Sequence, residues 1–344
     1  MSTYDALAAL PIRVDGYELE RLEQAVSSDF TRVTTVLHLH GAGEEGVGED
    51  VTYAGELHPP PPDLALAGST TLDGFSSLLD GLELFPVPPR MDAFRHYRRW
   101  AFESAALDLA LRQAGRSLAE ALGREPRPVR FVVSKRIDSP AKLQRLLERF
   151  PGTRLKLDPT NEWGDEFVAA IAATGAVDVV DLKGAYHGTA VDQPPDPELY
   201  ERVARGFPDA WIEDPALTPE TDAILEPFRD RITWDAPIHS VADVESLPFA
   251  PWTLNVKPSR FGTLRELFAF YDHCAAGGIG LYGGGQFELG PGRGQIQVLA
   301  SLFHPEAPND VAPSGYNETE PADGLEVSPL EPALAPTGFR RARP

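Results

Sequence analysis

One cysteine, Cys274, stands in 344 residues, so no disulfide can form within the chain and nothing implies an oxidising compartment. Long apolar runs are also missing. None reaches the roughly 20 residues that a membrane-spanning helix needs, and the opening Met1 to Asp5 lacks the basic stretch of a secretory signal. A cytoplasmic location without a membrane anchor is the default expectation. Basic residues are scarce beside acidic ones, 31 against 52, for a formal net charge of -21. Phosphate binding needs clustered Lys and Arg, so neither nucleic acid nor an anionic membrane is expected as a partner. The chain is too long for one minimal domain. It suits a barrel of about 250 residues plus a small second unit.

The opening third is β-rich and then helical. Val33 to His40 is a strand pattern, Gly41 to Gly46 supplies a turn and Val47 to Val51 starts the return, which predicts a hairpin over Phe30 to Tyr53. Pro59 to Pro62 can enter neither a helix nor a central strand and predicts a surface linker. Arg95 to Leu122 carries Phe102, Ala105, Ala106 and Leu109 at helical spacing, with Gly115 as a break. From Val129 onward the pattern becomes strand, turn, helix, repeated: Arg130 to Ser134, Arg154 to Leu157, Val177 to Asp181, and on through strands ending at Glu213, Asp235 and Lys257. A seventh strand fits Gly278 to Tyr282, and a helix fits Gln295 to Phe303. Strands alternating with helices predict parallel βαβ units.

Four of these strands end on ionisable residues: Asp181, Glu213, Asp235 and Lys257. In a parallel β/α barrel the C-terminal strand ends converge on one mouth, so three carboxylates and an amine would meet there. The intervals of 32, 22 and 22 residues suit one βα unit each. Three carboxylates make an oxygen cage for a hard dication, and Mg²⁺ is the first candidate. The bland alternative is that strand-end acids, Asp214 and Asp235 among them, cap the following helices. Lys257 beside a dication would have its ammonium form disfavoured and could act as a base; simple pairing with a carboxylate is the alternative.

The segments Ala101 to Leu109, Trp211 to Pro215, Thr233 to Asp235, Asn255 to Gly262 and Gly283 to Gly290 resemble the enolase superfamily, most closely its muconate-lactonizing and o-succinylbenzoate-synthase branch. Asp310 to Ser314 and Gly324 to Val327 resemble that family's tail, and Val47 to Glu49 its N-terminal cap. The resemblance implies an α/β fold: a TIM-type (β/α)7β barrel with an α+β capping domain built from the N-terminal part and the C-terminal tail. The expected division is residues 1–127 as cap, 128–308 as barrel and 309–344 as a tail packing on the cap. It also implies Mg²⁺ on Asp181, Glu213 and Asp235, a small carboxylate substrate, and removal of the α-proton to give an enediolate held by the ion. The proton is very weakly acidic because its loss makes a dianion, and a fixed dication lowers the barrier as that charge develops.

Two positions depart from the resembled pattern. Where the branch carries Lys-x-Lys on the second strand, this chain has either Lys156-Leu-Asp158, with Asp158 in place of a base, or Arg154-Leu-Lys156, with Lys156 as that base. Both frames stay open at this point. A racemase or epimerase with Lys156 and Lys257 as opposed bases survives only in the second, whereas one-face elimination of water suits either. Where the family shows Asp-x-Asn, this chain has Asp181-Leu-Lys183, so Lys183 would partly neutralise the cage and contact an anionic substrate. Taking Asp158 to Asn161 as the third-strand motif instead leaves 55 residues before Glu213, room for two units, so Asp181 is preferred.

Weaker signals are Ser134 and Lys135 at the end of the first strand, facing the substrate, and Glu288, expected to pair with Lys257. Gly283 to Gly285 is either a tight turn or an anion cradle. His187 and His239 are expected to be loop histidines. Specificity is expected in the cap around Leu22 to Phe30. The expectation is therefore a Mg²⁺-dependent lyase or isomerase, with a silent metal- or carboxylate-binding barrel as the rival. A metal-dependent hydrolase would call for histidines at strand ends. A homo-oligomer is compatible with such a barrel, although no interface can be read.

Overall fold

The computed structural model describes residues 2–26, 30–58, 60, 63–186 and 191–342. Most of the Pro59 to Pro62 linker, residues 27–29 of the specificity segment, and His187 lie outside these.

The N-terminal part is built on two small antiparallel sheets. Strands β1 (Pro11–Val14) and β5 (Gly68–Thr71) form one; β2 (Gly16–Val26), β3 (Phe30–Gly41) and β4 (Glu44–Asp50) form the other, in that order. The hairpin turn is shorter than expected: only Ala42 and Gly43 separate β3 and β4, both at positive φ (52° and 81°). That is the two-residue loop whose twist matches the flanking strands. β2 carries alternating charged and apolar residues, and sequence reading missed it as a strand. Helix Ala93–Gln113 is nearly wholly buried from Trp100 to Leu111. It lies against β4 because Gly46 and Gly48 offer no side chain: a Cβ on Gly48 would fall 2.0 Å from Ala101 O, and one on Gly46 2.2 Å from Ala105 O. Gly115 (φ 63°) breaks the helical run before Leu118–Leu122, as its sequence predicts.

Among the described residues, seven parallel strands follow. β6 (Val132–Lys135), β7 (Arg154–Leu157), β8 (Val177–Asp181), β9 (Trp211–Glu213) and β10 (Ile232–Thr233) are neighbours in chain order; β11 (Thr253–Val256) and β12 (Gly280–Gly283) pair separately. Backbone bonds link the two groups: Asn255 N donates to Trp234 O at 3.0 Å, Asp310 N to Gly283 O at 2.7 Å and Val132 N to Asn309 O at 2.8 Å. The tail thus does not pack on the cap alone. Residues 309–310 lie between β12 and β6 and Leu330 bridges Val129, whereas Gly338 bridges Ser117 and Arg340 reaches Asp108 and Glu45 in the N-terminal part.

Each parallel strand is followed by a helix, and most of those helices carry their own side-chain caps. Ser139, Asp196, Thr218, Ser240 and Thr263 accept bonds from backbone N–H groups of the first turns of helices Pro140–Arg149, Pro197–Gly206, Pro219–Leu225, Val241–Glu245 and Leu264–Gly277. These hydroxyl and carboxylate caps satisfy the orphan donors. Glu213 and Asp235 are therefore not spent as caps. Among the described residues, no helix is long and apolar enough to cross a membrane.

Candidate metal and active site

Asp181 ends β8, Glu213 ends β9 and Asp235 follows β10 by one residue beyond Trp234. All three are buried, and each offers a carboxylate oxygen such that the three atoms lie within 4.8 Å of one another. In β8 and β9 this convergence is a matter of register, since Asp181 stands opposite Glu213. An all-carboxylate, buried donor set fits Mg²⁺, a hard cation that takes oxygen ligands and keeps open positions.

Four cations surround the carboxylates. Lys156 Nζ donates to Glu213 and lies 3.2 Å from Asp181 Oδ2 and 3.9 Å from Asp310 Oδ2. Lys183 Nζ lies 2.5 Å from Asp181 Oδ2 and 3.4 Å from Asp158 Oδ1. Lys257 Nζ donates to Asp235 Oδ2 at 2.8 Å, and Arg260 holds Asp235 by its backbone oxygen and by Oδ1 at 2.8 Å and Oδ2 at 3.2 Å. Burial pushes the Asp235 carboxyl up, but Arg260 and Lys257 more than reverse it and hold it well below the carboxylate range. Burial works against the Lys156 ammonium, yet Glu213, Asp181 and Asp310 together raise its pKa well above the usual value. A buried ion pair survives only when charges and hydrogen bonds are matched this closely.

Hydrogen bonds then fix the orientation of the carboxylates. Tyr282 Oη and Asn255 Nδ2 (3.2 Å) donate to Glu213 Oε2, and Tyr186 Oη to Asp235 Oδ2 at 3.0 Å. Asp214, at a positive φ of 47°, accepts Asp235 N at 2.8 Å and Ala236 N at 2.9 Å. It supports the Asp235 backbone and is not the cap of a helix. Burial and the nearby Asp235 and Asp181 push its carboxyl up to about 7.

Lys156 and Asp158, the two residues of the open frames, have different surroundings. Lys156 is 1 % exposed and pairs with the carboxylates themselves, while Asp158 sits two residues further out beside Lys183. Glu288 does not pair with Lys257; its ion partner is Arg293, at 3.1 Å, because the loop after β12 turns it back toward helix Pro291–Phe303. The glycine run serves close packing: a Cβ on Gly284 would lie 2.8 Å from Lys257 Cε and 2.6 Å from Asn255 Oδ1. Ser134 stands beside Lys156 in the sheet, half-buried, and Lys135 Nζ donates to Tyr316 O at 2.7 Å, with burial lowering its pKa. His239 Nδ1 lies 3.2 Å from Pro237 O in the loop.

Arg260, Tyr186, Tyr282 and Asn255 were not singled out from the sequence. Two carried a signal: Asn255 is two residues before Lys257 and shares its strand face, and Arg260 is three residues after it, one helical turn on in Pro258–Phe261.

Comparisons with known proteins agree with this architecture. Two family profiles match in tandem, described as the N-terminal domain (residues 5–121) and the C-terminal domain (residues 125–318) of a domain of unknown function, DUF8230. A protein of Amycolatopsis sp. called N-succinylamino acid racemase is 28% identical over 341 residues, covering 88% of this chain and 87% of that one. Among solved structures, a member of the enolase superfamily from Listeria innocua Clip11262 matches with TM-score 0.65 and 20% identity over 95% of each chain. The dipeptide epimerase of Enterococcus faecalis V583 matches with TM-score 0.67 and 16% identity over 96% of this chain and 99% of that one. The chain belongs to the DUF8230 family, and its fold, a capping unit with a TIM-type α/β unit, is that of the enolase superfamily.

Proposed function

We propose that this protein is a Mg²⁺-dependent lyase or isomerase that removes the proton α to the carboxylate of a small substrate. One observation carries the reading: three buried carboxylates, Asp181, Glu213 and Asp235, converge within 4.8 Å while Lys257 stands 2.8 Å from Asp235. Asp181, Glu213 and Asp235 would hold the ion, which when bound stabilises the negative charge growing on the substrate carboxylate. Lys257 is the proposed base, its stem lying against Gly284 and its ammonium on Asp235. Lys156 neutralises the carboxylates from within. Asp158, Lys183 and Ser134 stand on the side of the mouth formed by β6 to β8, whereas Lys135 turns to the other face and bonds Tyr316 O. The seven parallel strands, with residues 309–310 as the eighth, are read as a (β/α)7β barrel, supported by the bonds that join 309–310 to β12 and β6.

In that ring β7 and β11 are four places apart in either direction, so the end of β7 faces Lys257. Lys156 of that strand is tied to Glu213 and Asp181, and Asp158, just past the strand, is paired with Lys183. This favours removal of a proton on one face followed by loss of a leaving group, in the manner of o-succinylbenzoate formation or acid-sugar dehydration. A second reading, a racemase or epimerase, is favoured by the racemase and epimerase names of the similar proteins. It would use Lys156, on β7, and Lys257, on the opposite strand, as the two bases.

Calorimetric Mg²⁺ titration of the wild type and of Glu213→Gln tests the metal, with binding expected in the first and lost in the second. A panel of N-acylamino acids, dipeptides and hydroxy acids in D₂O then tests the chemistry. Deuterium at the α-carbon is expected for at least one of them; a barrel that binds Mg²⁺ but never exchanges that proton is a silent binding protein. Retention or inversion at the labelled carbon separates the two readings.

A further inference from the structure

The two departures from the resembled pattern touch each other. Asp158 follows β7 and Lys183 follows β8, and Lys183 Nζ reaches both Asp181 Oδ2 (2.5 Å) and Asp158 Oδ1 (3.4 Å). Lys156 Nζ approaches the same Asp181 oxygen at 3.2 Å, so two ammonium groups share one carboxylate oxygen of the cage. A dication bound by Asp181 needs the lone pairs that Lys183 uses and repels its charge, the more so in a poorly solvated site. Lys183 must then shift. Lys183 stands at a positive φ of 56°, and Asp158 Oδ1, 3.4 Å from its ammonium, is buried and takes no hydrogen bond.

Resting on the metal reading above, we propose that Asp158 is the counter-ion that receives Lys183 when the cage takes up its cation, so that Mg²⁺ affinity is set by the Asp158–Lys183 pair. Lys183 competes with the metal and Asp158 relieves the competition. Asp158 is thus a positioning residue acting through Lys183, and the lysine introduced after β8 is tolerated because an acid stands after β7.

The test is Mg²⁺ titration calorimetry on the wild-type chain, Asp158→Asn, Lys183→Met and the double variant, with circular dichroism and melting curves as the check of folding. Asp158→Asn is expected to weaken Mg²⁺ about tenfold or more, in the range seen when an outer partner of a metal ligand is lost. Lys183→Met is expected to bind as tightly as the wild type or tighter. In the double variant the Asp158→Asn effect should vanish, whereas a general field effect of the lost carboxylate would persist there. Asp158→Asn within twofold of the wild type overturns the proposal, as does weakened binding in Lys183→Met or a full Asp158→Asn effect in the double variant. Should Asp158→Asn not fold, the sign of the Lys183→Met effect decides alone. No Mg²⁺ binding by the wild type overturns the metal reading and this proposal with it; binding that is lost in Glu213→Gln but indifferent to Asp158 overturns this proposal only.

Discussion

At the scale of single residues, Lys257 is the proposed base. Its side chain is 9% exposed, lies against Gly284 and ends on Asp235. Arg260 shares Asp235 from the next helical turn, so Asp235 keeps an ionic partner when Lys257 is removed. Lys257→Ala is therefore expected to fold and to bind Mg²⁺ within a few-fold of the wild type. Exchange of the substrate α-proton should fall by about 10²-fold or more, the usual loss when a positioned base is deleted. Solvent deuterium incorporation measured by NMR checks this, and undiminished exchange in Lys257→Ala removes it as the base.

At the scale of elements, β4 sits on helix Ala93–Gln113 with no side chain between the backbones at Gly46 and Gly48. Glycine in a strand weakens it intrinsically, and here it permits close approach instead. The tie matters beyond the cap: Val47 N donates to Asp108 Oδ2, and Glu49 accepts from Leu289, Gly290 and Gly292 N, joining β4 to the start of helix Pro291–Phe303. Gly48→Ala must displace Ala101 O, and overpacking of this kind costs about 1–3 kcal/mol. Urea unfolding should show that loss as a lower midpoint at unchanged slope. A midpoint equal to the wild type would mean that β4 can lift from the helix at no cost.

At the scale of the whole molecule, the sheet order depends on where residues 309–310 are held. Asn309 Oδ1 accepts from Gly283 N at 2.6 Å and lies 2.6 Å from His304 Nδ1, and Tyr271 Oη is 3.2 Å from His304 Nε2. Burial lowers the His304 pKa from 6.5 to about 4, opposed by its bond to Asn309. Between these values the unfolded chain binds more protons than the folded one, so stability falls as pH falls through that window. At 1.36 kcal/mol per pKa unit, His304 alone accounts for roughly 3 kcal/mol lost between pH 6.5 and 4. Urea unfolding across this range should show a shallower pH slope in His304→Gln than in the wild type; equal slopes would mean that His304 titrates normally. The repeated strand and helix pattern, the spacing of Asp181, Glu213, Asp235 and Lys257, and the break at Gly115 were all legible along the chain, because periodicity, strand-end position and glycine conformation are local properties. The two-residue turn at Ala42 and Gly43 and the strand β2 were less so, since charged and apolar residues alternate there as they do on many solvated segments. What the chain alone could not determine is which side chains share a partner. The placement of Lys156 within the cage, the meeting of Asp158 with Lys183, the pairing of Glu288 with Arg293 and the insertion of Asn309 beside β6 join residues from 5 to 179 positions apart. Those contacts are set by sheet register and by charge matching in a buried mouth, which exist only once the strands have assembled.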